Sequence, residues 1–138
     1  GLQKVESKQP HNRYLKIRSD QNLYEISRLF FFKKKPIVHC ISYLPQKMFK
    51  NLHELPIFLF EKITLYEALE KNYGVPTLYN HELFSTASAD DRIAELLQIS
   101  AGKSLLYIEM LSFTYKDKPY EYRQSYCVTD ERKVFNEI

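Results

Sequence analysis

Residues 64–67 combine the start of a helix with two hydroxyl groups. Thr64-Leu65-Tyr66-Glu67 has the pattern of a capping box, in which the threonine hydroxyl and the glutamate carboxylate satisfy two backbone amides at the helix start. The first turn of a helix carries positive partial charge and free amides, so it can bind an anion. Thr64 and Tyr66 are therefore candidate ligands of a phosphate or carboxylate.

Two charged residues in other parts of the chain could complete such a site. Arg28 is the only arginine in its predicted strand, and arginine is suited to bidentate phosphate contact. Glu121 could accept hydrogen bonds from sugar hydroxyls or amines. The alternative is a routine capped helix, a surface arginine and an exposed glutamate that pairs with a nearby lysine. Both interpretations remain open at this point.

Motifs for catalysis and metal binding are scarce in this chain. Three glycines are too few for a glycine-rich phosphate loop, the four histidines lack the spacing of a metal site, and neither a Cys-x-x-Cys pair nor a nucleophile elbow occurs. Cys40 and Cys127 are interpreted as buried or half-buried thiols, because two cysteines do not make a disulfide framework. We expect no enzyme, no metal and no other cofactor.

A sequence pattern near the N-terminus is repeated toward the C-terminus. Residues 14–44 resemble residues 96–127, and the offset between the copies is 82 residues, or 83 after the second turn. The matched residues are Leu15, Ile17, Leu23, Ile26, Leu29 and Phe31 with Leu97, Ile99, Leu105, Ile108, Leu111 and Phe113, followed by Lys35, Pro36, Ser42 and Tyr43 with Lys118, Pro119, Ser125 and Tyr126. Each copy predicts a β-hairpin. The result is an α+β domain with a largely antiparallel sheet, two duplicated hairpin halves and short packed helices, which can hold a small ligand between its halves.

The remaining elements follow from local signals. We expect strands over 22–32 and in the segment after Pro36, a helix from Thr64 to Gly74, a strand over 77–87 and a second helix opened by Ser88-Ala-Asp-Asp. Lys33-Lys34-Lys35 is interpreted as a solvated turn and not as a phosphate-backbone contact. Residues 1–12 are polar and lack periodicity, which is typical of a linker or exposed lead-in. The tail VFNEI could add a final strand.

Size and charge exclude several classes of protein. At 138 residues the chain is most simply one domain, and a net charge of +3 is too small to argue for nucleic-acid binding. No signal peptide is visible, and no apolar run approaches the roughly 20 residues that span a bilayer. We expect a cytoplasmic protein without a membrane partner.

Several short motifs, weak alone, together resemble a known family. Ile-Ser-Arg-Leu, a turn and Pro-x-x-x-x-x-Ser-Tyr-Leu-Pro precede Thr-Leu-Tyr and a helix that ends in Asn-Tyr-Gly-Val. Leu-Leu-x-Ile, Pro-Tyr-Glu-Tyr-x-x-Ser-Tyr and Asp-x-x-x-x-Phe from Asp130 to Phe135 follow. In order and spacing these motifs resemble the UTRA domain, the effector-binding half of HutC-type regulators in the GntR superfamily, over roughly residues 14–138.

The resemblance implies a fold like that of chorismate lyase, used for ligand sensing. Residues 1–12 would end an interdomain linker and residues 13–138 would form the ligand-binding domain of a homodimer. DNA would be bound only by an N-terminal winged helix-turn-helix domain, which this chain lacks. Family members that sense sugar phosphates use an arginine, the Ser/Thr-Leu-Tyr helix start and acidic residues. This pattern implies effector binding by Arg28, Thr64, Tyr66 and Glu121, with a phosphorylated sugar favoured.

Three positions depart from the family pattern. Phe30 replaces a common second arginine, Cys40 an acidic residue and Cys127 a tyrosine. With Tyr126 they are the candidate pocket-lining residues, although Tyr126 and its duplicate Tyr43 could equally belong to the core. The pocket should be less polar than the amino-sugar-phosphate type, so an amino-acid-like metabolite or a more apolar acid remains possible. The alternatives are a lyase or hydrolase on the same fold and a dimerisation module with a vestigial pocket.

Overall fold

The two predicted hairpins form the centre of one antiparallel sheet. The computed structural model describes residues 1–56 and 64–129, so the predicted strand in VFNEI lies outside the described residues. The strand order is β1-β2-β3-β6-β5-β4. The strands are β1 Leu2–Val5, β2 Leu23–Phe32, β3 Lys35–Pro45, β4 Tyr79–Ser88, β5 Ser104–Thr114 and β6 Lys118–Cys127. Lys33 and Lys34 are exposed at the first hairpin turn with positive φ angles, which confirms the solvated turn.

Within the residues that the structure describes, three short helices connect the strands. They are α1 His11–Tyr14, α2 Leu65–Tyr73 and α3 Asp91–Leu97, and single 3₁₀ turns occupy Leu52–Glu54 and Tyr115–Asp117. The predicted cap of α2 is confirmed, because the Glu67 amide donates to the Thr64 hydroxyl oxygen at 3.1 Å. Gly74 ends α2 at φ +64°, a conformation that glycine adopts without strain. The second helix begins later than predicted, with Asp90 as its cap and Ser88 still in β4.

The duplication is larger than a hairpin and covers a β-α-β-β unit. β1-α1-β2-β3 and β4-α3-β5-β6 have the same order of elements, and the sheet places the units symmetrically about its centre. Leu2 pairs with Ile26 and Phe84 with Ile108, so both edge pairs repeat at an offset of 82. Each hairpin also has a register shift at the equivalent place, after Phe30 in β2 and after Ser112 in β5.

The N-terminal residues contain regular structure that the sequence pattern did not predict. Leu2–Val5 pairs with β2, and the side-chain amide of the fully buried Asn12 donates to the carbonyls of Arg18 and Gln21 at 2.8 and 2.7 Å. A four-residue strand is too short to show an alternation, so lack of periodicity over 1–12 is a poor sign of linker structure. That these residues lead from a preceding domain stays a prediction.

The helices pack on opposite faces of the sheet. α2 contributes Leu65 and Leu69 to a cluster on one face, which we call the α2 face. α3 contributes Ile93 and Leu97 to a separate cluster, and Leu15 after α1 packs in a third. Because side chains alternate along a strand, each strand residue is assigned to a face by its position.

Burial of His11 makes the stability of the fold sensitive to acid. Its ring lies edge-on to Tyr43 and Tyr122, with ring centroids 4.3 and 5.0 Å apart, and both ring nitrogens lack hydrogen-bond partners. Burial, and then the Lys8 charge, hold the pKa of His11 below its ordinary 6.5. As the pH falls below the ordinary pKa of 6.5, this histidine takes up its proton in the unfolded chain before it does so in the folded protein. The free energy of unfolding should therefore decrease.

Replacement of His11 by phenylalanine should make this decrease shallower. The remaining acid sensitivity comes in part from His39, whose pKa burial also lowers. Urea unfolding of both proteins between about pH 7.5 and about pH 5.5 measures the difference. Equal slopes for the wild type and His11→Phe would contradict the assignment.

Candidate functional site

Arg28 lies on β2 with its side chain on the α2 face. It is half-buried beside Cys40 of β3, and its guanidinium lies over the Phe30 ring at 5.6 Å. Its terminal nitrogen donates a long hydrogen bond of 3.4 Å to the hydroxyl of Ser42. Its Nε is buried and has no hydrogen-bond partner. Arg28 therefore retains donor capacity for a ligand.

Glu121 forms a buried ion pair with Arg123, two residues further along β6. Arg123 Nε donates to Glu121 Oε2 at 2.9 Å, and the two residues are 3% and 0% exposed, respectively. Burial is the largest single influence and disfavours the guanidinium, but the charge and hydrogen bond of Glu121, together with the neighbouring Tyr66 and Cys40, raise the pKa of Arg123. Glu121 Oε1 is buried without a hydrogen-bond partner, so the carboxylate keeps an acceptor for a further donor.

Tyr66 brings the start of α2 onto this ion pair. The Arg123 guanidinium lies 5.3 Å from the centroid of the Tyr66 ring, and the Tyr66 hydroxyl donates to Met110 Sδ at 3.8 Å. Burial and the Glu121 charge raise the pKa of Tyr66, so it stays a neutral phenol. Thr64 is exposed, and its hydroxyl oxygen accepts the capping hydrogen bond. Tyr66 therefore lies against the ion pair, whereas Thr64 is exposed at the start of α2.

The charges of Arg28, Arg123 and Glu121 all act on Cys40. Burial raises the pKa of the Cys40 thiol, while the charges of Arg28 and Arg123 oppose this rise and that of Glu121 adds to it. Among the described residues of this cluster, two guanidiniums and one carboxylate sum to a charge of +1. The sequence-predicted residues Arg28, Tyr66 and Glu121 thus lie in one electrostatic environment on the α2 face, which suits an anion.

The apolar part of the site lies beside the charged part. Phe30, Cys40 and Cys127 belong to one cluster with Val38 and Ile108. Both thiols are buried and free, as predicted, and burial raises the pKa of Cys127 to about 11. This face of the sheet therefore offers a bound molecule a charged end and an apolar end.

Tyr126 is not brought together with these residues. It alternates with Cys127 on β6 and packs on the opposite face against the α3 cluster, with its ring 5.0 Å from Tyr107 and 6.3 Å from His39. Its duplicate Tyr43 also packs on that face, against His11. Tyr126 and Glu121 differ by an odd number of positions along β6 and so lie on opposite faces, which favours the core alternative for Tyr126 over pocket lining.

Sequence reasoning missed Arg123 as a member of the site. The segment Tyr120-Glu121-Tyr122-Arg123 places opposite charges at alternate positions of a central strand, which predicts that both charges share one face. The two repeats do not share this pattern, because Arg123 corresponds to Cys40 and Arg28 to Met110. Each half therefore supplies one arginine, from β2 in the first half and from β6 in the second.

The described ranges, residues 1–56 and 64–129, lack both a metal-binding group and a membrane-spanning helix. They contain no group of three or more His, Cys, Asp or Glu residues that could hold a metal ion. They also contain no helix long and apolar enough to cross a membrane.

The chain is similar to known regulator domains. Residues 2–133 match the family model of the UTRA domain. The ligand-binding domain of a protein assigned to the GntR family of transcriptional regulators from Bordetella bronchiseptica is 26% identical, with a TM-score of 0.88, and the match covers 100% of this chain and 86% of that one.

Two solved structures with lower identity have the same fold. The C-terminal domain of Yurk from Bacillus subtilis is 17% identical with a TM-score of 0.90, and the match covers 98% of this chain and 90% of that one. The effector domain of PhnF from Mycobacterium smegmatis is 17% identical with a TM-score of 0.86, covering 98% and 81%. The predicted α+β fold of the chorismate lyase type is confirmed. The chain therefore belongs to the UTRA domain family, whose structures include effector-binding domains of GntR-family transcriptional regulators.

Proposed function

We propose that this domain is a non-enzymatic sensor of a small anionic metabolite, with a phosphorylated sugar as the first candidate. It works within a homodimeric regulator whose DNA contacts are made by a separate N-terminal domain. The observation that carries the proposal is Arg28, a half-buried cation with an unpartnered Nε beside a buried ion pair. The neighbours described as ligand-binding and effector domains support the same role.

The charge balance of the site favours an anion. Glu121 already neutralises Arg123, whereas Arg28 has no carboxylate within ion-pair distance in the described part of the chain. A half-buried cation without a counter-charge has a desolvation cost that a bound anion would offset. Arginine can also hold a phosphate through two parallel hydrogen bonds, which fixes the orientation of the ligand.

Polar atoms around the ion pair suit a hydroxylated ligand. Glu121 Oε1 can accept a hydrogen bond from a sugar hydroxyl, and the buried hydroxyls of Ser42 and Ser125 flank Arg123 and Cys40 across β3 and β6. Phe30 and Cys127 make the other end apolar. An effector with an anionic group, one or two hydroxyls and an apolar remainder would match both ends.

Effector binding would control the regulator through a difference in affinity between two arrangements of the protein. An effector shifts the regulator between two arrangements only to the extent that it binds one of them more tightly. Turnover is disfavoured because Glu121, the fully buried carboxylate of the site, is held by Arg123 as an ion pair and is a weak general base in that state.

Thermal unfolding against a panel of ligands tests the proposal. The panel contains sugar phosphates, the corresponding free sugars, amino acids and short organic acids. A ligand at about one hundred times its Kd should add about 2.7 kcal/mol to the free energy of unfolding and raise Tm by several degrees. We expect a phosphorylated sugar to give this shift and its free sugar to give less. No shift with any anion at millimolar concentration, or conversion of the bound ligand into product, would contradict the sensor.

A further inference from the structure

Ser112 on β5 is a fully buried serine whose hydroxyl has no partner. Its side chain is 0% exposed, and its Oγ forms no hydrogen bond with any residue that the structure describes. It lies directly opposite Glu121 on β6, whose Oε1 is buried and also without a hydrogen-bond partner. Buried polar atoms are nearly always hydrogen-bonded in native proteins, so two such atoms side by side indicate a place that a bound molecule completes.

The duplicated hairpin has an apolar pair at the equivalent position. Phe30 corresponds to Ser112 and Val38 to Glu121, and in both hairpins the two residues are cross-strand partners immediately before the register shift. Phe30 and Val38 pack together in the apolar cluster. The backbone at this position therefore accepts an apolar pair, and the fold itself does not require a polar pair in the second hairpin.

The first turn of α2 lies beside the Ser112 hydroxyl and leaves it unused. Ser112 is close enough to the Tyr66 phenol to oppose the rise of its pKa. The phenol nevertheless donates to Met110 Sδ, and the Arg123 hydrogen bond goes to Glu121 Oε2. Ser112 Oγ and Glu121 Oε1 therefore both remain available to a ligand.

We propose that Ser112 is a specificity-determining residue which, opposite Glu121, holds a hydroxyl group of the anionic effector. The ligand hydroxyl donates to Glu121 Oε1 and accepts the Ser112 proton, so that both unpartnered atoms gain a partner. This inference rests on the proposed function and assigns a contact to the part of the ligand that is remote from its anionic group.

The charges of the site favour a hydroxyl over an ammonium group at this position. Among the described residues of the cluster, the guanidiniums of Arg28 and Arg123 already outnumber the Glu121 carboxylate, so a further cation would meet net repulsion. Arg28 reaches Ser42 of β3, and β6 separates β3 from β5. Two strand spacings are about 10 Å, which a phosphorylated sugar can span between its anion and a distant hydroxyl.

Two six-carbon phosphates test the hydroxyl contact by isothermal titration calorimetry. Glucose 6-phosphate has hydroxyls and hexyl phosphate has none. The wild type should bind glucose 6-phosphate more tightly. Ser112→Ala should weaken its binding about 3–10-fold, as expected for one lost neutral hydrogen bond, and leave the affinity for hexyl phosphate unchanged. Ser104→Ala is the matched control, since Ser104 is exposed at the start of the same strand, and it should change neither affinity.

The melting temperature separates ligand recognition from a structural role of Ser112. Because its Oγ has no partner among the described residues, Ser112→Ala should keep or raise Tm. A lower Tm with an equal loss of affinity for both probes would overturn the inference and assign Ser112 to the fold or to a buried water. Unchanged affinity of Ser112→Ala for glucose 6-phosphate would also overturn it.

The behaviour of the wild type distinguishes failure of this contact from failure of the sensor. Equal affinity for hexyl phosphate and glucose 6-phosphate would overturn the hydroxyl contact and leave an anion sensor standing. A wild type that binds neither probe at millimolar concentration would overturn the inference, whereas the wider ligand panel decides the proposed function.

Discussion

Replacement of Arg123 by methionine is expected to lower the free energy of unfolding by about 3–5 kcal/mol, the largest stability effect we predict for a single side chain. The variant leaves the Glu121 carboxylate fully buried without the guanidinium that now lies 2.9 Å away. It also removes the cation from the face of the Tyr66 ring, so the first turn of α2 loses a contact with the sheet. Urea unfolding at neutral pH measures the loss.

Two controls separate the buried ion pair from a general effect of removing arginine. Arg18 pairs with Asp20 at 3.2 Å on the surface, where the side chains are 76% and 70% exposed, so Arg18→Met should cost less than about 1 kcal/mol. Glu121→Gln in the Arg123→Met background should recover much of the lost stability, because the unpaired charge is then gone. Equal losses for Arg123→Met and Arg18→Met would contradict the buried pair.

Turn and cap signals allowed most of the fold to be predicted from the sequence. The lysine turn between β2 and β3, the Thr64 cap and Gly74 are local features whose geometry is set by neighbouring residues, and the structure confirms each of them. β1 was not predicted, because these four residues form a strand only through pairing with β2. Only the duplication carries a signal for it, since residues 2–5 correspond to residues 84–87 of the predicted strand β4.

The site was predicted less completely than the fold. The alternation of side chains along a strand explains which of the predicted residues lie together and which do not. Arg28 and Phe30 share a face, as do Glu121 and Cys127, so these assignments are mutually consistent. Tyr126 and Glu121 lie on opposite faces. Arg123 shares a face with Glu121. A buried arginine is rare, however, so the strand position of Arg123 alone gave no reason to expect it in the site.

Loss of the charge at position 28 is expected to have the largest effect on ligand binding. Arg28→Met should weaken binding of the anionic ligand identified by thermal unfolding by about 10–100-fold, because a charge-assisted hydrogen bond is worth about 1.5–3 kcal/mol. Within the fold the Arg28 side chain contributes a weak 3.4 Å bond to Ser42 and a contact with the Phe30 ring, so the variant should remain folded. Isothermal titration calorimetry gives the affinity directly.

The pattern of affinities across variants and ligands decides whether Arg28 binds the anionic group itself. Arg28→Lys keeps the charge without the planar pair of donors, so its affinity should lie between those of the wild type and Arg28→Met. Arg18→Met removes an exposed arginine of the same chain and should leave affinity unchanged. The uncharged analogue of the ligand should bind the wild type and Arg28→Met equally. If Arg28→Met weakens both ligands by the same factor, Arg28 shapes the pocket and the anion is held elsewhere.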